Sequence, residues 1–415
     1  MSMVSSKASV LNSGASWNPA PSKLRVGISV TSDETGYRAH AQRGTGRYVR
    51  ELLHYFDGHS DSGIEVSPFP IDHALGSPVL DRAVDMLPAG RATVKKQILA
   101  PVRLASRRTE QVDLLHFPAH IDAPSWCKKR YIVTVLDLIP VVLSDMYKAD
   151  KPSWRFRLAR QLELMAIKNA SLVLAISENT ARDVHQVLGI PYERIVVTPL
   201  GVRDEFFASI HAGPEEELRS RYGIPSDRPI ILYVGGIDQR KNVQGMFRAL
   251  ALLLERYRER GVPQEKLPLL VMSGSIQQDA EYPKLVALLK ELYLERHIVT
   301  PGFVPDKDLI QLYHASSVFF FPSLYEGFGL PPLEAMAAGL PVVSSNASCL
   351  PEVIGNAGLS FDPNDVSHAS ELLNEVLTNF DLSARLSEAG REQARKFTWQ
   401  RTGELTLSAY RQLSD

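Results

Sequence analysis

Residues 321–339 read Phe321-Pro-Ser-Leu-Tyr-Glu326-Gly-Phe-Gly-Leu-Pro-Pro-Leu-Glu334-Ala-Met-Ala-Ala-Gly339. An apolar strand ends at Phe321, a glycine loop turns, and a short helix starts at the prolines. Proline costs nothing at a first helical position, where its missing N–H would have no intrahelical partner, and Gly339 supplies a left-handed stop. The helix N-terminus is thereby fixed beside a strand end. Its free backbone N–H groups, with Gly327 and Gly329 permitting close approach, suit a diphosphate. Glu326 and Glu334 flank the loop with seven residues between them. Carboxylates beside a phosphate site repel the phosphate, so their useful partners are hydroxyls: a sugar for Glu326, a ribose for Glu334. Glu334 has a simpler reading too, as a charge complementing the helix dipole.

Upstream, Ile230-Ile-Leu-Tyr-Val-Gly235-Gly236-Ile-Asp-Gln-Arg240-Lys241-Asn242 repeats the device. A strand delivers glycines and then cations, and the helix after it carries Phe247, Leu250 and Leu254 on one face. Arg240 and Lys241 are placed to neutralise a leaving diphosphate, the arginine as a fork and the lysine as a point charge. The bland alternative is two solvated cations.

From these two stretches the pattern extends in both directions. Apolar runs at Leu269–Ser273, Val318–Phe321 and Val342–Ser344 follow Ile230–Val234, and an earlier series runs Leu24–Val30, Val112–Phe117, Tyr131–Leu136, Leu172–Ile176 and Ile195–Val197. Strands alternating with helices predict an α/β protein of two doubly wound, Rossmann-like parallel-sheet domains facing across a cleft, with ligands at the carboxyl ends of the strands. The pattern loosens between Gly201 and Pro229, which sets the expected boundaries: a disordered leader over 1–21, an N-terminal domain over 22–205 and a C-terminal domain from 206 to 397.

The chain's 415 residues, 44% hydrophobic, supply two cores. A net charge of -1 gives no basic field for nucleic acid. Two cysteines, Cys127 and Cys349, exclude a disulfide framework and suit a reducing compartment, so the cytoplasm is expected. The leader lacks a signal-peptide core, and the longest apolar stretches fall far short of the ~20 residues that cross a bilayer. Asp306-Lys-Asp308 has the spacing of a divalent-ion site, but Asp306 after Pro305 reads better as a helix N-cap.

The paired Glu motif and the Gly-Gly followed by Arg240-Lys241 resemble the retaining glycosyltransferases of family 4, which have the GT-B fold. The resemblance runs from Leu24 to Leu413 and implies a hexosyl transfer, of mannose or glucose type, from a nucleotide diphosphate sugar to a glycan or lipid-linked acceptor. No metal or other cofactor is implied. It puts Arg240 and Lys241 on the donor phosphates, Glu326 on the sugar and Glu334 on the ribose, with Gly236 and the backbone of Gly327, Phe328, Gly329 and Leu330 alongside. Gly302-Phe303-Val304 is similar to the family's nucleobase turn, and 398–415 to its last helix, which crosses back to the N-terminal domain.

On the other side of the cleft, Gly44-Thr-Gly46-Arg47-Tyr48 resembles the family's N-terminal glycine loop, which makes Gly44 and Gly46 donor contacts and Tyr48 an acceptor-side candidate. Val49 stands where a dinucleotide fingerprint has its third glycine, which speaks against a nicotinamide or flavin enzyme. Val133-Thr-Val-Leu136-Asp137 is similar to a segment that carries His-Asp in the family, and here Leu136 replaces the histidine. Asp137 is left as an acceptor contact or a cap, with His116 and His120 as substitutes for the lost imidazole. Pro118 between those histidines and the lack of a third ligand argue against a metal there. Closure about Gly201 and Thr398 would exclude water.

Two basic, aromatic-bearing stretches, Arg91 to Arg108 and Trp154 to Arg160, read either as a peripheral membrane contact or as solvated helix faces. The rival functions are a sugar-nucleotide isomerase or phosphorylase on the same fold, and a non-catalytic sugar-nucleotide binding protein.

Overall fold

The structure, a computed structural model, describes residues 23–30, 44–58, 63–69, 86, 94, 97, 100, 104, 112–147, 153–208 and 215–414. The expected leader over 1–21 and most of the Arg91–Arg108 stretch lie outside the described residues.

The buried apolar runs pair as parallel strands. β1 (Leu24–Ser29), β2 (Ile64–Phe69), β3 (Leu114–Phe117), β4 (Tyr131–Val135), β5 (Leu172–Ala175) and β6 (Ile195–Val197) form one sheet in the order β2-β1-β3-β4-β5-β6. β7 (Ile230–Val234), β8 (Leu269–Ser273), β9 (Ile298–Gly302), β10 (Val318–Phe321), β11 (Val342–Ser345) and β12 (Leu359–Phe361) form the other, ordered β12-β11-β10-β7-β8-β9. Every recorded strand pair is parallel. Central strands such as β4, β8 and β10 are buried along their whole length, as sheets covered on both faces require. The second order is that of a dinucleotide-type doubly wound sheet. Its direction of winding reverses between β7 and β10, and loops leaving the carboxyl ends at such a reversal frame a crevice.

β2, β9 and β12 were not expected from the sequence. All three are sheet edges with exposed or half-exposed positions, and β2 and β9 contain Pro68 and Pro301, which an edge tolerates.

The helices that matter for the site are α1 (Gly44–Asp57), α2 (Trp154–Asn169), α3 (Glu178–Leu188), α4 (Val243–Glu259), α5 (Asp306–His314), α6 (Leu330–Ala337) and α7 (Trp399–Arg411). α7 returns to the first domain and packs on α1, where Phe56 and Tyr410 rings lie 6.0 Å apart. A Cβ on Gly403 would meet the Tyr55 ring at 2.1 Å, so the crossing is as close as a glycine allows. The two chain crossings between domains touch: Val202 N donates to Phe397 O at 3.1 Å, Thr402 Oγ1 donates to Pro199 O at 2.6 Å, and a Cβ on Gly201 would sit 2.2 Å from Trp399 N. No described helix is long and apolar enough to cross a membrane.

Candidate active site

At the winding reversal, the loops after β7 and β10 bring three charges into contact. After β7, Asp238 caps a single 3-10 turn over Gln239–Lys241, its Oδ1 accepting from Arg240 N at 3.1 Å. That turn aims both cations at the loop after β10. Arg240 Nη1 donates to Glu326 Oε2 at 2.8 Å, and Lys241 Nζ donates to Glu326 Oε1 at 2.5 Å. Arg240 also holds Tyr325 O at 3.0 Å, while Lys241 Nζ lies 5.0 Å from the centre of the Phe321 ring. All three side chains are 20% exposed or less.

Burial alone would raise the Glu326 carboxyl, but Lys241 and Arg240 outweigh it and hold the group below the ordinary carboxylate range. One carboxylate between two cations leaves the cluster with a net positive charge, which suits an anion. Glu326's own backbone is fixed by Ser348, whose hydroxyl accepts from Glu326 N and donates to Glu326 O, both at 2.9 Å.

The glycines expected to admit a ligand sit on the same rim. Gly329 has φ of 110° and begins α6, and Gly339 has φ of 77° just after the helix ends. Gly236 is exposed beside the cations. A Cβ on Gly274 would lie 2.2 Å from Gly235 O, and Gly274 N donates to Gly302 O at 2.9 Å, so the loops after β7, β8 and β9 run side by side. Phe303 follows on the outermost strand with 62% of its surface exposed. The side chains of Val304 and Phe328 join the core, Phe328 packing edge-on against Phe397, and Leu330 is partly buried against it.

The N-terminal domain closes on this loop. Ser177 Oγ donates to Gly327 O at 2.8 Å, and a Cβ on Gly327 would meet Leu136 O at 2.2 Å and Asp137 Cβ at 3.1 Å. Asp137 therefore faces the loop after β10. Its Oδ1 also accepts from Ile139 N at 3.1 Å, so the cap reading holds at the same time. Burial raises its carboxyl, with that N–H and the Arg240 charge opposing. Tyr147 OH reaches Asp238 Oδ1 at 2.6 Å, and Tyr325 OH contacts Asp183 and Asn179 on α3. Glu352 caps α3 from the opposite domain, accepting from Glu178 N and Asn179 N, each at 2.8 Å. Gly44 is exposed at the start of α1 and faces Leu330, 4.0 Å from where its Cβ would be, whereas Gly46 is buried.

Glu334 is 4% exposed on α6 and engages Arg47 of α1 and Tyr313 OH, the latter at 3.1 Å. Burial raises its carboxyl against the pull of Arg47.

Three acceptor-side expectations are corrected. Tyr48 is fully buried, bonded to Thr134 Oγ1 at 3.1 Å beneath Trp399. His116 is likewise at 0% exposure, between Tyr410 OH at 2.7 Å and Thr134 Oγ1 at 2.8 Å, and burial pulls its imidazole down to about 3. Both face the layer covered by α7, not the cleft. His120 is buried in a 3-10 turn over His120–Asp122, which leaves its ring little surface for an acceptor. Asp306 is not a cap: Pro305 holds that position, and the Asp306 carboxylate takes Arg203 at 2.7 Å and Arg47 at 3.4 Å. Among the described residues, no group of three His, Cys, Asp or Glu is placed to hold a metal.

Sequence reasoning missed Arg47, Tyr147, Ser177, Asp238, Tyr325 and Glu352. Asp238 and Ser177 carry a local signal, each being a capping residue just before a turn or helix. The others act across the cleft and have none.

Two Rossmann-like domains with a cation pair, a shared carboxylate and a glycine-started helix at the reversal define the GT-B architecture of glycosyltransferases. The sequence models for Glycosyltransferase Family 4 and for Glycosyl transferases group 1 match residues 42–206 and 214–393, and the chain belongs to that family. It is 31% identical to the serotype-specific mannosyltransferase WbdA of Escherichia coli over 67% of this chain and 33% of WbdA, and 35% identical to the O-antigen chain mannosyltransferase B of Escherichia coli over 60% of this chain and 62% of that enzyme. The matched region thus spans about a third of WbdA's length. The fold is shared with sucrose-phosphate synthase of Thermosynechococcus elongatus (TM-score 0.68, 21% identity, 94% of this chain and 99% of that one). It is shared also with Anabaena HepE in complex with UDP and glucose (TM-score 0.66, 17% identity, 94% and 100%).

Proposed function

We propose that this protein is a retaining glycosyltransferase that moves a hexosyl unit, of mannose or glucose type, from a nucleotide diphosphate sugar to a glycan or lipid-linked acceptor at the cytoplasmic face of a membrane. The observation that carries the reading is the meeting of Arg240, Lys241 and Glu326 at the winding reversal of the second sheet. The mannosyltransferase names of the relatives support the sugar class.

In this reading the bond between the anomeric carbon and the diphosphate oxygen breaks, and the electron pair leaves with the diphosphate. Arg240, Lys241 and the N–H groups at the start of α6 meet the growing charge where it develops, a role that a metal ion fills elsewhere. The acceptor oxygen bonds to the anomeric carbon on the face the nucleotide vacates, and its proton passes to the departing phosphate oxygen. Glu326 binds sugar hydroxyls and Glu334 the ribose, so neither serves as a nucleophile. Asp137, facing Gly327, orients the acceptor hydroxyl. Phe303 stacks on the base.

The partly exposed first turns of α2 present Trp154, Phe156 and Leu158 together with Arg155 and Arg157, a composition suited to resting on an anionic lipid surface. Salt-sensitive pelleting with anionic vesicles, lost in Trp154→Ala/Phe156→Ala, tests that contact.

The deciding experiment for the activity is a thermal-shift panel of UDP, GDP and ADP with chelator present, on wild type and Arg240→Ala. One nucleotide should stabilise the wild type, by about 2.7 kcal/mol at a hundredfold excess over Kd, and the variant should lose that response. No response to any of the three would overturn the reading. Breakdown or epimerisation of a sugar nucleotide without an acceptor would move it to the isomerase or phosphorylase class.

A further inference from the structure

Arg47 makes a contact that the proposed chemistry does not use. From the first turn of α1, in the N-terminal domain, its guanidinium spans the cleft to Glu334 on α6 and to Asp306 at the start of α5. Nη1 takes Glu334 Oε1, and Nη2 lies 3.4 Å from each Asp306 oxygen. The second Glu334 oxygen, Oε2, accepts from Tyr313 OH at 3.1 Å. Both oxygens of Glu334 are therefore engaged, and at 4% exposure the carboxylate offers no free approach.

We propose that Arg47 is a latch on the ribose subsite: it ties the two domains together through the Glu334 oxygen that a nucleotide's ribose hydroxyl must reach, so that this contact and a bound donor exclude each other. The inference rests on the assignment of Glu334 to the ribose. Tyr313 keeps Oε2, but the buried Oε1 cannot be left without a partner, and the ribose hydroxyls are one that substitutes for the guanidinium. Arg47 is not orphaned by the exchange, because Asp306 is half exposed and remains beside it. Arg203 anchors Asp306 from the interdomain crossing, at 2.7 Å, so the acceptor of the released arginine is held in place. Donor entry then frees Glu334 for the ribose, while Arg47 stays on Asp306 and keeps the domains joined.

The consequence has an unusual sign. A cleft arginine that binds phosphate weakens anion binding when it is removed; a latch arginine strengthens it. The test is calorimetric titration of the nucleoside diphosphate that stabilises the wild type, and of its 2′,3′-dideoxy analogue, into wild type, Arg47→Ala and Arg47→Gln. A cooperative melt of each variant establishes folding, and the glutamine variant keeps the length of the side chain.

Both variants should bind the ribonucleotide on the order of tenfold tighter, the factor expected if the latch is closed about nine-tenths of the time. The dideoxy analogue should gain less. In scattering, the free variants should have a larger radius of gyration than free wild type. Unchanged or weaker ribonucleotide binding in both variants overturns the latch while leaving the ribose assignment intact. Equal binding of the two analogues by wild type overturns the ribose assignment itself, and the latch with it.

Discussion

Glu326→Ala removes both oxygens that Lys241 Nζ and Arg240 Nη1 hold at 2.5 and 2.8 Å. Arg240 retains Tyr325 O at 3.0 Å and Asp238 at 3.5 Å, whereas Lys241, 12% exposed, is left against the Phe321 ring. Taking one member from a buried ion pair costs about 3–5 kcal/mol, because the remaining charge stays desolvated. The expected loss falls in that range, and most of it belongs to Lys241. A double-mutant cycle with Arg240→Ala should return a coupling of about 1–3 kcal/mol.

The pH dependence carries a sign that separates this account from simple loss of packing. The two cations hold the folded-state carboxyl of Glu326 below its ordinary value. Its contribution to stability is therefore fully present above the unfolded value of about 4.3 and is lost as pH falls through the lower folded value. Urea unfolding of wild type and Glu326→Ala should show a gap that is constant from about pH 5 to 7 and closes on acidification below about 4.3. A nucleoside diphosphate should stabilise the variant more than the wild type, since it then meets two cations freed of the carboxylate they shared. A variant that unfolds at the wild-type urea concentration at pH 7, or a gap that ignores pH, would refute the argument.

Gly201→Ala should cost about 3 kcal/mol or more in urea unfolding, because its Cβ would meet backbone, not a side chain that can rotate away, at 2.2 Å. His116→Leu should cost about 1–3 kcal/mol by leaving the Tyr410 hydroxyl short of a partner, with no change in transferase turnover. Because burial lowers the His116 imidazole to about 3, the unfolded chain binds that proton first on acidification, and wild-type stability should rise with pH between about 3 and 6.5. The leucine variant should lose up to about 1.4 kcal/mol per pH unit of that slope. Glu352→Ala should cost about 1 kcal/mol through the lost cap of α3 and should increase the radius of gyration in scattering.

The central strands were legible because strands buried on both faces need continuous apolar residues, and Ile230–Val234 and Val318–Phe321 supply them. β2, β9 and β12 escaped because an edge imposes no such demand: β2 mixes Glu65 and Ser67 with its apolar residues, and β12 is three residues long. The meeting of Arg240, Lys241 and Glu326 was legible from loops whose glycines and prolines fix local backbone. The acceptor side was not. Tyr48 and Arg47 are neighbours on one helix, about 100° apart around its axis, and the motif alone does not say which faces the cleft. His116 looks like a strand-end site residue until Tyr410, 294 positions away, is seen to cover it. Contacts of that kind are set by how the last helix docks, and no spacing near His116 records it.

The docking of α7 also fixes the order in which the protein is finished. The first domain lacks part of its own core until Trp399 and Tyr410 have been made, since His116, Tyr48 and Phe56 all wait for them. At about 5–20 residues per second, Tyr410 leaves the ribosome's active centre roughly 15–60 s after His116. Once Phe361 has been added, late in that interval, the second sheet has all its strands, while the first domain still waits for Trp399 and Tyr410. The domain synthesised first is thus completed last, and a nascent chain that stalls before Trp399 would join a second sheet with all its strands to an unsealed first domain.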